Sequence, residues 1–240
     1  MPVFESKLQS SETIAVGTQA FHLHKPDGFR FLPGQSISLV LTDASGLDRR
    51  DRSHTFSLVS EPFDDRLTVA TRMRDSPFKR ALKALPIGGA VQIRGPNGSM
   101  SLDGDVTRPA VFLAGGIGIT PFVSMLRQQA RDGMPRRLHL FYSNRTPEDA
   151  AFLAELRQLA ERNPNFGFVP TMTGLERAHE VWAGETLRIG TELLAKHISD
   201  LAAPIYYVAG PPGMVGAVRE LLGAAGVGGD AIRSEEFFGY

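Results

Sequence analysis

Ala110-Val111-Phe112-Leu113-Ala114-Gly115-Gly116-Ile117-Gly118-Ile119-Thr120-Pro121 decides the fold. The apolar run Ala110–Ala114 reads as a buried strand. A glycine turn follows, and Pro121-Phe122-Val123-Ser124-Met125-Leu126 reads as a helix. Thr120 is expected to cap that helix, and Pro121 suits its first position, where an N–H is not needed. A strand, a glycine turn and a helix N-terminus together make an anion site. Backbone N–H groups and the helix dipole face a phosphate, and glycine lets the backbone come close. The pattern departs from G-x-G-x-x-G because Pro121 stands at the third glycine.

Downstream, strands alternate with helices. Strands are expected at Leu138–Tyr142, Phe166–Met172, Pro204–Ala209 and residues 231–237. A helix is expected over Pro147–Arg162, with Phe152, Leu153, Leu156 and Leu159 on one face. Thr191 is expected to cap a short helix through Ile198, and a last helix follows Gly210-Pro211-Pro212-Gly213-Met214 and ends at Gly226. This rhythm predicts a parallel sheet covered by helices. Ligands on such sheets bind at the C-terminal strand ends. Gly115–Thr120, Ser143–Arg145, Thr171–Thr173 and Gly210–Met214 all fall there.

Upstream, residues 12–102 read as short strands between turn signals, which predicts an antiparallel barrel. Ile37, Leu39 and Leu41 share one face, and Leu67, Val69, Thr71 and Met73 alternate. Another strand runs from His54 to Ser60. Pro77–Ala84 reads as one short helix capped by Ser76. Gly95-Pro96-Asn97-Gly98 is expected to turn the chain. The boundary is placed near 103–108, giving domains 1–104 and 105–240. The fold class is a β-barrel followed by a Rossmann-like α/β domain.

Composition narrows the chemistry. The 240 residues balance 26 basic against 26 acidic side chains, so charge argues for neither nucleic acid nor an anionic membrane surface. The absence of cysteine excludes disulfides, thiolate zinc and cysteine-ligated iron–sulfur clusters from this chain, and it fits the cytoplasm. Met1–Lys7 lacks a signal-peptide pattern, and no apolar run approaches the roughly 18 residues of a membrane span.

Several motifs in order resemble the ferredoxin–NADP(+) reductase superfamily in its two-domain form without an iron–sulfur domain. They are Phe31-Leu32-Pro33-Gly34-Gln35, His54-Thr55-Phe56-Ser57, Gly95-Pro96-Asn97-Gly98, Gly115–Pro121, Tyr142-Ser143-Asn144-Arg145, Gly210–Met214 and Glu235-Glu236-Phe237-Phe238-Gly239-Tyr240. The resemblance implies an FAD-binding barrel and an NAD(P)-binding domain. Hydride would pass from NADPH or NADH to FAD N5, and electrons would pass on to a ferredoxin, a flavodoxin or an oxygenase component.

The resemblance also assigns residues. Ser57 would approach flavin N5, and Phe56 would pack on the flavin. His54 replaces the arginine that meets the FAD pyrophosphate, and Arg52 is a candidate to supply the missing charge. Thr55, Thr71, Arg72 and Met73 would line the flavin, and Ser76, Phe78 and Lys79 a phosphate. Gly115, Gly116, Ile117, Gly118, Thr120 and Pro121 would hold the nicotinamide end and its pyrophosphate, and Gly210, Pro211 and Met214 would close over the ring. Ala209 stands where the family often has cysteine. Ser143, Asn144 and Arg145 would meet the far end of the coenzyme, and their hydroxyl and guanidinium favour NADPH. Phe237 or Tyr240 would stack on the flavin, and Ser57, Glu236 and Tyr240 are the catalytic candidates, with Glu235 as an alternative to Glu236.

Two other readings compete: an NADH-dependent flavin or ferric reductase with loosely held flavin, and a silent flavin- or nucleotide-binding module. Elsewhere the structural reading is preferred. His22 and His24 are expected to be exposed strand residues, because a metal pair would need a third ligand. His139 reads as structural, His179 and His197 as surface residues, Trp182 as packing, and Arg49 and Arg50 as part of a solvated loop.

Overall fold

The computed structural model describes residues 2–42, 46–102 and 104–238, apart from the Arg49 side chain. Tyr240 lies outside the described residues. The chain divides into two compact units, Met1–Leu102 with Thr120–Met125, and Asp103–Ile119 with Leu126–Tyr240.

The first unit contains β1 (Val3–Ala15), β2 (Thr18–His24), β3 (Ser36–Leu41), β4 (Ser53–Ser57), β5 (Arg66–Arg72), α1 (Pro77–Ala84) and β6 (Ala90–Asn97). The strands pair antiparallel in the order β4-β3-β6-β1-β2-β5. The two edges meet where Leu58 bridges Val69 and the Val59 N–H donates to the Thr68 carbonyl at 2.8 Å, so the sheet closes on itself. Inward residues Leu23, Ile37, Leu39, Leu67, Val69, Val91 and Ile93 form one core with Phe29 and Leu58. Each such fully buried side chain contributes about 1.5–3 kcal/mol. The Ser76 cap forms as expected, its hydroxyl accepting the Lys79 N–H at 3.2 Å.

The second unit contains β7 (Ala110–Gly115), α2 (Thr120–Arg131, whose first turn is counted with the first unit), β8 (Leu138–Asn144), α3 (Leu153–Arg162), β9 (Phe166–Met172), α4 (Thr191–Ala195), β10 (Ile205–Gly210), α5 (Pro212–Ala224) and β11 (Ile232–Glu236). Its sheet is wholly parallel in the order β11-β10-β7-β8-β9. Val111, Leu113, Phe141, Tyr206 and Val208 pack against Leu193, Leu194, Val215 and Val218. Among the described residues no helix is long and apolar enough to cross a membrane.

Several local expectations are corrected. Gly116–Ile119 is a 3-10 turn, so the N-cap of α2 is Ile119, and Thr120 already lies within the helix. The expected helix over Pro147–Arg162 is interrupted. The Tyr142 hydroxyl donates to the Ala151 carbonyl at 3.2 Å, and Phe152 takes a left-handed φ of 62°, so α3 begins only at Leu153. Gly190, not Thr191, caps α4, because the Leu194 N–H reaches the Gly190 carbonyl. Pairing of Asn97 with Ser36 carries β6 through Gly95–Asn97, where a turn is expected. His22 is buried, not exposed. It lies on β2 between β1 and β5, with Nδ1 2.9 Å from Thr68 Oγ1 and Nε2 3.0 Å from Glu12 Oε1.

Candidate functional site

In the first unit β4 carries a patch of rings. His54 lies 4.7 Å from Phe56 and 5.6 Å from Phe78, and the two phenyl rings are 5.9 Å apart. Burial among these rings, and then the neighbouring Lys79 charge, lower the His54 pKa, although the residue keeps an exposed edge. His54 is therefore neutral near pH 7. Burial also lowers the Lys79 pKa, with Arg74 adding to the effect. On the opposite face of β4, the Thr55 hydroxyl is 3.2 Å from that of Ser38. The Ser57 hydroxyl is buried and has no hydrogen-bond partner among the described residues. Such an orphan costs about 1–3 kcal/mol unless something outside the chain completes it.

Thr71 is buried, and Arg72 and Met73 are half-buried at the end of β5. The Met73 N–H donates to the Gly17 carbonyl at 2.7 Å. Arg52 is half-buried, and its Nε donates to the Leu47 carbonyl at 3.0 Å.

In the second unit, the glycine turn and the Gly210 turn meet at the C-terminal edge of the sheet. A Cβ on Gly115 would fall 2.3 Å from Met214 Sδ and 3.0 Å from Pro211 Cδ. Thr120 and Pro121 are buried at the start of α2, and Ile117 is half-buried. Register places Ser143 beside Gly115 on β8. Asn144 follows, buried, with neither Nδ2 nor Oδ1 partnered among the described residues, and Arg145 is exposed.

On the other flank β11 sets Glu235 beside Ala209 and Glu236 beside Gly210. Burial raises the Glu235 carboxyl above its ordinary range, while Glu236 is exposed. The Phe237 N–H donates to the Gly210 carbonyl at 2.9 Å. Among the described residues no cluster of three metal-ligating side chains occurs.

Residues 112–220 match the model of the oxidoreductase NAD-binding domain. The solved ferredoxin–NADP(+) reductase of Neisseria gonorrhoeae, which holds FAD and NADP, superposes with a TM-score of 0.83 at 23% identity, over 98% of this chain and 99% of that one.

The chain has the ferredoxin–NADP(+) reductase fold.

The ferredoxin reductase of carbazole 1,9a-dioxygenase shares this reductase fold, with a TM-score of 0.82 at 22% identity over 99% of this chain and 70% of that one. Among curated proteins, the toluate 1,2-dioxygenase electron transfer component of Pseudomonas putida is 29% identical over 91% of this chain and 61% of its own length. The propane 2-monooxygenase reductase component of Rhodococcus jostii is 27% identical over 89% and 57%. The chain thus spans about three-fifths of the length of these relatives.

Within this reductase fold the structure gathers the expected coenzyme residues of the second unit along one sheet edge. Sequence reasoning missed Glu148, whose Oε1 accepts the His179 and Glu180 N–H groups at 2.6 and 2.7 Å.

Proposed function

We propose that the chain is an FAD-dependent NAD(P)H oxidoreductase that delivers electrons to a separate acceptor. Residues 1–104 would hold FAD and 105–240 the coenzyme. The observation that carries the reading is the Ser57 hydroxyl of the His54-Thr55-Phe56-Ser57 motif, buried and without a partner among the described residues. FAD fits the residues present: the Ser57 hydroxyl suits the flavin N5 edge, the Phe56 ring offers an apolar face, and Arg52 with Lys79 and the start of α1 suits a diphosphate.

Bound FAD would supply the conversion of a two-electron hydride donor into one-electron steps. The chain's own part is to bind and orient. Thr55, Thr71, Arg72, Met73, Ser76 and Phe78 would line the flavin. Gly115–Gly118 and Thr120 would present backbone N–H groups to a pyrophosphate, Pro121 would set the start of α2 beside it, and Gly210, Pro211 and Met214 would wall the nicotinamide end. Phe237 or Tyr240 is proposed as the flavin-facing aromatic. Glu236, with Glu235 beside it, is proposed as the acid held at that edge.

Ser143, Asn144 and Arg145 would receive the far ribose, and the absence of a carboxylate among them favours NADPH. The acceptor proposed is an oxygenase component, a ferredoxin or a flavodoxin, in line with the names of the relatives. Drawing on the NAD(P)H pool, the protein would work in the cytoplasm.

A second reading, an NADH-dependent flavin or ferric reductase with exchangeable flavin, is favoured by the neutral His54 at the arginine position. Exhaustive dialysis separates the two: retained stoichiometric FAD supports the first, and complete loss the second.

A further inference from the structure

The connection after β9 is bound to the segment that leaves β8 at two places, its start and residues 179–180. The Thr173 N–H and hydroxyl both donate to the Asn144 carbonyl, at 2.9 and 3.2 Å, and the Gly174 N–H donates to the Arg145 carbonyl at 2.8 Å. A Cβ on Gly174 would lie 3.2 Å from the Arg145 Cβ, so the two segments run in close contact. Three residues beyond Arg145, Glu148 Oε1 accepts the N–H groups of His179 and Glu180 at 2.6 and 2.7 Å. Residues 144–148 and 173–180 therefore form a closed bracket at the C-terminal edge of the sheet.

The bracket has the chemistry of a nucleotide wall. Arg145 and Arg177 both have exposed side chains on it, and the Arg177 guanidinium stands 3.6 Å from the adjacent Glu176 carboxylate. Asn144, at its base, has a buried amide with both ends unpartnered among the described residues, polar capacity that a water or a ligand group would satisfy. C-terminal strand edges are where open α/β sheets bind ligands. The Glu148 bonds add a second tether to those that Thr173 and Gly174 make at the end of β8.

We propose that Glu148 is a positioning residue for coenzyme binding: its carboxylate fixes residues 177–180 beside Arg145, so that the bracket walls the ribose and phosphate at the far end of NAD(P)H. This rests on the coenzyme reading above. Glu148 acts through the backbone it holds and does not itself touch the coenzyme. Its own backbone N–H leads the causes that hold its carboxyl down at about 2, helped by Glu180, Thr146 and His179 and opposed by desolvation, so it is ionised at any working pH. Bonds from N–H groups to an ionised carboxylate are stronger than those to a neutral oxygen.

The test uses the full chain loaded with FAD, with ferricyanide as the oxidant. Wild type is first titrated with NADH and NADPH, then compared with Glu148→Ala and Glu148→Gln. Two quantities are read: amide hydrogen exchange over residues 178–181 without coenzyme, and KM and kcat for the preferred coenzyme. For Glu148→Ala, exchange should rise about tenfold and KM about tenfold, with kcat within about twofold of wild type. Glu148→Gln keeps one acceptor oxygen and should fall between. Unchanged exchange in Glu148→Ala would overturn the latch. Faster exchange with unchanged KM would overturn its role in coenzyme binding. Wild type that binds neither coenzyme would overturn the reading beneath the proposal, and that result appears before any variant is compared.

Discussion

Gly118 is pressed against Ala209: a Cβ on Gly118 would lie 2.3 Å from the Ala209 carbonyl oxygen and 2.7 Å from Gly210 Cα. Both obstacles are backbone, so neither can swing aside. Gly118→Ala is expected to lower stability by about 1–3 kcal/mol, because a packed interior resists added volume. It should also weaken coenzyme binding, since the displaced turn is the one that presents N–H groups at the start of α2. Denaturant unfolding and coenzyme titration of the same variant check both effects. A variant with wild-type stability would show that the turn has room to give.

Ser57→Ala separates function from folding. Because the Ser57 hydroxyl has no partner among the described residues, its removal should leave stability unchanged or raise it by up to about 1 kcal/mol. Reduction of bound flavin should nevertheless slow by about tenfold or more, as lost contacts to a reacting edge typically do. Thermal melts and anaerobic stopped-flow reduction give the two readouts.

His54 gives flavin binding a pH dependence. Burial and Lys79 lower its pKa, so the imidazole is neutral near pH 7 and cannot serve a diphosphate as arginine would. Lowering the pH through its titration charges the ring, so FAD affinity should rise. His54→Arg should bind FAD about tenfold more tightly at alkaline pH and lose that dependence. Flavin fluorescence titrations across pH provide the comparison.

Glu235 has the opposite linkage. Burial raises its carboxyl above the ordinary 4.5, so the folded chain retains a proton that the unfolded chain releases. Stability must fall as pH rises from 4.5 through the raised value, and the loss is complete above it. Glu235→Gln is neutral throughout. It should melt higher than wild type in mildly alkaline buffer, and the difference should vanish as pH drops below 4.5.

What the sequence made legible follows the strength of its local signals. The parallel strands were readable because Ala110–Ala114 and Ile205–Ala209 are apolar on both faces, as a doubly covered sheet demands. Ser76-Pro77 announced α1 because capping is local chemistry. Most of β1 was not legible: Val3–Ala15 is largely polar and alternates weakly, and its pairing partners on β2 and β6 are supplied by the fold. His22 was misjudged for the same reason, since Glu12 and Thr68 reach it only across strands. The sheet-edge motifs announced themselves through glycine and proline. Glu148 did not, because its partners lie 31 and 32 residues away.

The most direct test of the central claim is anaerobic titration of the purified, FAD-reconstituted protein with NADPH and, separately, NADH, followed in the visible spectrum. A bound flavin band that bleaches stoichiometrically, and more readily with NADPH, is the predicted result. Preferential bleaching by NADH would keep the oxidoreductase and reverse the coenzyme assignment made on Ser143 and Arg145. A protein that takes up no FAD and stays colourless would contradict the account.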